Sequence, residues 1–242
     1  MSSYRIALAG NPNTGKSTLF NLLTGLKQHT GNWTGKTVLR AEGEFSYQDK
    51  LFQIIDLPGT YSLYSNSADE EVARDYIIFE QPDITIVVLD ATALERNLNL
   101  ALQVLEMTDK VVIGINLIDE AEKLGIKIDD KSLAKKLGVP VVKISAREEI
   151  GVNQLLDTVI AVITGKLHPT PLQIKYSEQI EAKIDKLIPY IKTIFGNRYP
   201  ARWLALRFLD GDASLIASLK DQLFRMNQQE MKTYGQSFGL NT

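Results

Sequence analysis

The eight residues GNPNTGKS, Gly10 to Ser17, match the pattern G-x-x-x-x-G-K-[ST]. They fall between a strand-like run, YRIALA (4–9), and a helical run, KSTLFNLLTGL (16–26). The physics of this unit is narrow. Glycines let the backbone bend so that successive N–H groups point inward at phosphate oxygens, and the following helix adds its positive N-terminal end. Gly10, Asn11, Pro12, Asn13, Thr14, Gly15, Lys16, Ser17 and Thr18 are therefore candidate phosphate-binding residues. Lys16 is placed to reach the β- and γ-phosphates, and the Ser17 hydroxyl to take a magnesium position.

The rest of the chain reads as the fold such a unit requires. TVLRAEGEFSY (37–47) and KLFQIID (50–56) are two strands joined by a tight Gln48-Asp49 turn, hence antiparallel. DITIVVLD (83–90), KVVIGIN (110–116) and VPVVKIS (139–145) are continuous apolar runs, as in strands buried on both faces. Helical patterns separate them at about 68–81, 95–108, 129–137 and 150–164. The expected core is a doubly wound α/β sheet built around the P-loop, with one antiparallel edge strand, over residues 1–166. The pattern changes near GKLHPTPLQ (165–173), beyond which only helical segments follow. Ile180, Ile184, Leu187, Ile191 and Ile194 share one helix face, with Pro189 expected to kink it. Pro200 opens the next helix, Asp212 or Ser214 caps the last, and Leu215, Leu219, Leu223 and Met226 form its apolar stripe. Residues 172–242 are thus expected to be a small helical domain packed on the first. His29 and His168 read as loop residues, Trp203 as a core anchor, and the acidic DEEVARD (69–75) as a solvated helix face rather than a metal site.

Several function classes drop out on composition. The chain has no cysteine and two histidines, which excludes disulfides, thiolate sites and multi-histidine metal clusters. A formal net charge of −2 gives no reason to expect nucleic-acid binding. The N-terminus lacks a signal-peptide layout, and the longest apolar runs fall far short of the ~20 residues a spanning helix needs.

Further motifs select the nucleotide. NLID (116–119) ends a buried strand at the sheet edge where ligands bind. Asp119 can accept hydrogen bonds from guanine N1 and its exocyclic amine, donors that adenine lacks there, and an unpaired carboxylate is costly enough to discriminate. Asn116 would brace the loops, with Leu117 between. SAR (145–147) ends the next strand, where Ser145, the Ala146 N–H and Arg147 would hold the base from the other side. DLPG (56–59) ends the antiparallel strand: Asp56 would hold magnesium through water, the Gly59 N–H would meet the γ-phosphate, and Leu57 and Pro58 lie between. The interval between P-loop helix and Asp56 contains HTGNWTGKTV (29–38), which has no clean period. In P-loop GTPases this interval is the first switch, supplying a threonine to magnesium and the γ-phosphate. Thr30, Thr34 and Thr37 are candidates. Thr37 is favoured because it directly precedes a strand pattern that anchors it.

Two departures matter. Thr60 stands after Gly59, where Ras-type enzymes place a water-orienting glutamine, so slow intrinsic hydrolysis is expected. Leu117 replaces the lysine of N-K-x-D, whose stem packs along the base, so fast nucleotide release is expected.

Taken together, GNPNTGKSTLFNLLTG, GNWTGKTV, DLPGTYSL, ARDYI, DATALERNLNLALQVLE and RWLALRFLDGD resemble the N-terminal G domain, with its helical domain, of the bacterial ferrous iron transport protein B (FeoB) family. That family typically reads G-N-W-P-G-V-T-V in the first switch, so Thr34 stands for proline and Lys36 for valine, with Gly35 retained. The resemblance implies a GTP-binding and GTP-hydrolysing part on the cytoplasmic face of a membrane transporter for ferrous iron. Its helical domain would link to the membrane and restrain nucleotide release, and small FeoA-type proteins are implied accessories. It also implies that Asn13, Lys16, Thr37 and Gly59 serve hydrolysis, with Asn13 holding a potassium ion where negative charge develops. Lys36, beside Thr37, is a second candidate for supplying that charge. The tail TYGQSFGLNT carries no apolar pattern, which fits a cytoplasmic part of a longer polypeptide. The rival expectations are a stand-alone regulatory or ribosome-assembly GTPase, and a nucleotide-gated adaptor that switches without turnover.

Overall fold

The computed structural model describes residues 3–25, 28–34, 36–64 and 67–237. Gly35, Leu26 and the Met226 side chain, all named above, lie outside the described residues. Among the described residues, seven strands form one mixed sheet in the order β2-β3-β4-β1-β5-β6-β7. These are β1 (Ser3–Gly10), β2 (Gln28–Asn32), β3 (Leu39–Tyr47), β4 (Lys50–Asp56), β5 (Ile84–Asp90), β6 (Val111–Asn116) and β7 (Val141–Lys143). β1 runs parallel to both β4 and β5, β5 to β6 and β6 to β7, while β3 is antiparallel to β4. Residues 84–89 of β5 and all of β6 are buried, as their unbroken apolar sequences require. The turn after β3 places Gln48 and Asp49 at φ 47° and 57°, the left-handed pair that matches hairpin twist.

Alternation along β1 sends its side chains into two cores. Ile6 and Leu8 join Leu19 and Phe20 of α1 (Lys16–Thr24) and Leu155, Leu156 and Val159 of α6 (Val152–Ile163) on one face. Ala7 and Ala9 face the other core, beneath α2 (Ala68–Asp75), its π-helical extension (Tyr76–Glu80) and α3 (Leu94–Met107). Two short helices, α4 (Ile118–Lys123) and α5 (Asp130–Leu137), complete this part. The last three helices are α7 (Glu178–Phe195), α8 (Ala201–Asp210) and α9 (Ala213–Ser237). Ile184, Ile191, Trp203, Leu204, Leu215 and Leu219 continue the second core, so the C-terminal helices pack on the sheet side that carries α2 and α3. Asp212 caps α9 through Oδ1, which accepts from the Leu215 N–H at 2.9 Å. α7 continues through Pro189.

Three expectations need correction. The antiparallel strand β3 is not the sheet edge, because β2 pairs with it through Gln28↔Gly43 to Asn32↔Leu39. His29 therefore lies in a strand and not in a loop. QHTGN gives no signal for this, since four of its five residues are exposed and its pairing with β3 is made by backbone groups. Gln28 anchors its start, donating to Asn21 Oδ1, Thr24 Oγ1 and the Gly25 carbonyl, each at 2.9 Å. Next, α4 begins inside NLID, at Ile118, where no helix was expected; six residues are too few to display a period. Finally, DEEVARD is a docking face. Its Arg74 is fully buried, donating to Asp75 Oδ1 at 2.8 Å, to Asp212 Oδ2 at 3.2 Å and to Ser214 Oγ at 3.3 Å. Half-buried Asp75 is pushed above its ordinary value by desolvation, with Arg74 opposing. A buried guanidinium demands carboxylate partners, and α9 supplies one from 138 residues away.

Candidate functional site

In the doubly wound sheet the strand order turns at β1, and the loops leaving β1, β4 and β6 open on the same edge. The first is the P-loop. Asn13 and Gly15 take left-handed φ of 65° and 74°, and α1 begins at Lys16. Glycine is required at both ends by close approach: a Cβ at Gly10 would sit 2.7 Å from the Val88 carbonyl oxygen, and one at Gly15 would sit 2.3 Å from Asn116 Nδ2. Thr14 Oγ1 donates to the Asn11 carbonyl at 3.0 Å, tying the loop to itself. The buried Asn11 amide has no protein partner, whereas Asn13, Ser17 and Thr18 are exposed at the loop surface.

The loop after β4 comes against it. Lys16 is buried and ion-paired with Asp56, and its Nζ also donates to the Leu57 carbonyl at 2.6 Å. Ser17 Oγ donates to Asp56 Oδ2 at 3.3 Å. The three predicted residues for phosphate and magnesium are thus within contact of one another. Leu57 N–H donates to the Leu8 carbonyl and Thr60 N–H to the Gly10 carbonyl, which presses Pro58 and Gly59 against the P-loop at Pro12. Thr60 is buried, so its side chain is not placed to orient a water in the loop opening.

Asn116 joins the third loop to the first. Its Nδ2 donates to the Thr14 carbonyl at 2.9 Å, and its Oδ1 accepts from the Ala146 N–H at 2.9 Å. Leu117 is forced to φ 63°, which turns the chain into α4 and presents Asp119. Asp119 Oδ1 is buried without a partner, while Oδ2 accepts from Arg147 Nη2 at 3.1 Å. Hydrogen bonding from Ser145, then Arg147, holds the Asp119 carboxyl below the usual carboxylate range despite partial desolvation. Ser145 is itself buried and pairs with Ile150 across a single antiparallel bridge, which fixes the turn carrying Ala146 and Arg147.

The first-switch segment is a hairpin loop between β2 and β3. Trp33 N–H donates to the Val38 carbonyl at 2.9 Å and Lys36 N–H to the Trp33 carbonyl at 3.0 Å. Thr30 is committed to pairing with Ala41, Thr34 is exposed at the turn, and Thr37 lines an open cleft of about 450 Å³ with Pro58 and Gly59. Trp33 packs edge-on against Tyr76, 5.4 Å between ring centroids, with the Arg40 guanidinium 5.1 Å over its ring. Burial pushes the Tyr76 hydroxyl up to about 12. Lys36, a candidate charge for the phosphate loop, is ion-paired on α2 in this structure. Its Nζ donates to Glu71 Oε2 of α2 at 2.7 Å, and Glu71 Oε1 accepts from Ser214 Oγ of α9 at 2.5 Å. Sequence reasoning missed this Lys36–Glu71–Ser214 chain because the partners lie 35 and 143 residues apart.

Fold and loop set together define a P-loop GTPase domain followed by helices. The family model "Ferrous iron transport protein B" matches residues 4–159, and "FeoB cytosolic helical domain" matches 176–239. The chain belongs to the ferrous iron transport protein B family. It is 46% identical over 220 residues to the Fe(2+) transporter FeoB of Methanocaldococcus jannaschii, covering 88% of this chain and 31% of that protein. It is 39% identical over 216 residues to its counterpart in Escherichia coli K12, covering 88% and 27%. The chain thus spans roughly a quarter to a third of the length of these curated relatives. Among solved structures it resembles the cytosolic domain of the T. maritima FeoB iron transporter in a GDP form, with TM-score 0.82, 39% identity and coverage of 90% and 84%. The GMPPNP form of that domain matches with TM-score 0.79, 38% identity and coverage of 89% and 84%. A stand-alone ribosome-assembly GTPase is not the reading these relatives favour.

Proposed function

We propose that this chain binds and hydrolyses GTP, and that its nucleotide cycle drives or gates ferrous iron passage through membrane-spanning parts of the same transporter. Residues 1–166 would be the G domain and 172–242 a helical domain linking it to those parts at the cytoplasmic face of the bacterial inner membrane. No helix among the described residues is long and apolar enough to cross a membrane. The observation that carries the reading is the convergence of Lys16, Ser17 and Asp56 on one side of the Asn116 brace and of Asp119 on the other. GDP and GMPPNP forms of the similar T. maritima domain support it.

The chain's own groups divide the work. P-loop N–H groups and Lys16 would bind and orient the phosphates, with Lys16 exchanging Asp56 for phosphate oxygens. Ser17 Oγ and Asp56 are adjacent hard oxygen donors, which fits magnesium, with phosphate and water supplying the remaining positions. Magnesium would neutralise charge developing on the β- and γ-oxygens. Thr37 would close from the cleft it shares with Gly59, and the Gly59 N–H would meet the γ-phosphate. Asn13, exposed on the loop, has an amide oxygen suited to a potassium ion. With Thr60 buried and no glutamine there, intrinsic hydrolysis should be slow. A partner of the FeoA type is also proposed; one relative, from Porphyromonas gingivalis, is a fusion of Fe(2+) transport protein A and the transporter.

Phosphate release from GTP, measured on this chain in potassium and in sodium buffer, tests the reading. Turnover abolished by Lys16→Ala and stimulated by potassium in an Asn13-dependent way is expected. Absence of any GTP-dependent phosphate release would reject the enzyme and leave a binding switch.

A further inference from the structure

The specificity carboxylate already has a ligand of its own. Arg147 Nη2 donates to Asp119 Oδ2 at 3.1 Å and to Glu120 Oε1 at 2.7 Å, with Glu148 Oε1 3.7 Å from Nε. Asp119 is largely buried, at 13% exposure, while Arg147 is 57% exposed. The edge that guanine offers to such a carboxylate, N1–H beside the C2 amine, is a guanidine held in a ring. The arginine head group is the same chemical unit carrying a full charge.

We propose that Arg147 is an internal mimic of the guanine edge that competes with the nucleotide base for Asp119 and so speeds nucleotide release. This rests on the reading of Asp119 as the guanine-recognition residue. The argument is one of linkage. Without the base and without Arg147, the largely buried carboxylate would have the Ser145 hydroxyl as its neighbour but no cation, which is costly. Arg147 relieves that cost in the base-free form, and whatever it stabilises there is subtracted from nucleotide affinity. Glu120 and Glu148 make the exchange easy, because Arg147 displaced from Asp119 keeps carboxylates at the rim. Two features of one loop set would then act in the same direction: Leu117 withholds the stem that packs on the base, and Arg147 refills the site as the base leaves. Because Arg147 is more than half exposed, the competition is modest, worth about two- to fivefold in affinity.

The test is equilibrium affinity and dissociation rate of a fluorescent GDP for wild type, Arg147→Ala and Arg147→Gln at low and high salt. Both variants should bind GDP about two- to fivefold tighter and release it more slowly, and the gain should fade near ~0.5 M salt, where the wild-type ion pair is screened. Affinity that is unchanged or weaker in Arg147→Ala overturns the proposal and makes Arg147 a bystander or a base contact. Tightening by alanine but not by glutamine assigns the effect to bulk, and overturns it too. The underlying reading is checked separately by Asp119→Asn, which should shift preference towards xanthine nucleotides, whose C2 oxygen accepts from the new amide. Failure of that shift sinks both ideas, whereas a clean shift with no Arg147 effect sinks only the competition.

Discussion

Arg74→Met is the sharpest test of how the C-terminal helices are held. Arg74 has no exposed side-chain surface, and methionine replaces its length without its charge. The change leaves Asp75 at 24% and Asp212 at 7% exposure without the guanidinium that now bonds them and Ser214. Breaking one side of a buried ion network costs ~3–5 kcal/mol. Asp75 is partly exposed and α9 can shift, so the lower end, about 3 kcal/mol at pH 7, is expected. For a chain of this length that corresponds to a melting temperature lowered by roughly 6–12 °C. The pH dependence has a definite sign. Asp75 is already raised above the ordinary carboxylate value by burial, and losing Arg74 raises it further. A carboxyl whose folded pKa exceeds its unfolded value costs stability above the folded pKa and nothing below the unfolded one. The deficit should therefore shrink as pH is lowered from 7 towards about 4. Urea unfolding across that range, with hydrogen exchange over the first turns of α9, reads both effects. Asp75→Asn and Asp212→Asn added to Arg74→Met should recover part of the loss. A deficit below ~1 kcal/mol at pH 7, or one independent of pH, would refute the reasoning that the network is a buried charge requirement.

Three further outcomes are expected. Leu117→Lys restores a stem that can pack along the base and should slow GDP release by about 3–10-fold, near 1 kcal/mol, in a stopped-flow trap experiment; release at the wild-type rate counts against it. Lys36→Val removes a half-buried ion pair and should cost ~0.5–1 kcal/mol, a loss that disappears in a Glu71→Gln background if the two side chains act as a pair. Glu181 is held down at about 2 by Arg202 and the Tyr176 N–H, so its contribution is present above the ordinary glutamate pKa and fades as pH falls towards 2. Acid should therefore loosen α7 in wild type, and Glu181→Gln should flatten that acid dependence of helical content.

The P-loop, NLID, SAR and DLPG were legible in the sequence because each is a short stretch whose chemistry depends on neighbouring residues. The same holds for the buried strands, since burial on both faces forces an unbroken apolar run that is visible in six residues. Sequence reading by itself thus determined the sheet core, the helical C-terminal part and which loops meet at the phosphate edge. Tertiary structure alone decided four things. β2 is a strand because β3 offers backbone groups to pair with, and exposed QHTGN carries no side-chain pattern to announce it. The acidic face of α2 is an anchor because α9 brings Asp212 and Ser214 to a fully buried Arg74. Lys36, read as a charge for the phosphate site, is spent on Glu71. Arg147, read as a base contact, sits on Asp119. The last three contacts join residues 28 to 140 positions apart in the chain, and local period and motif spacing hold no information about which distant charge a folded sheet will bring into hydrogen-bond range.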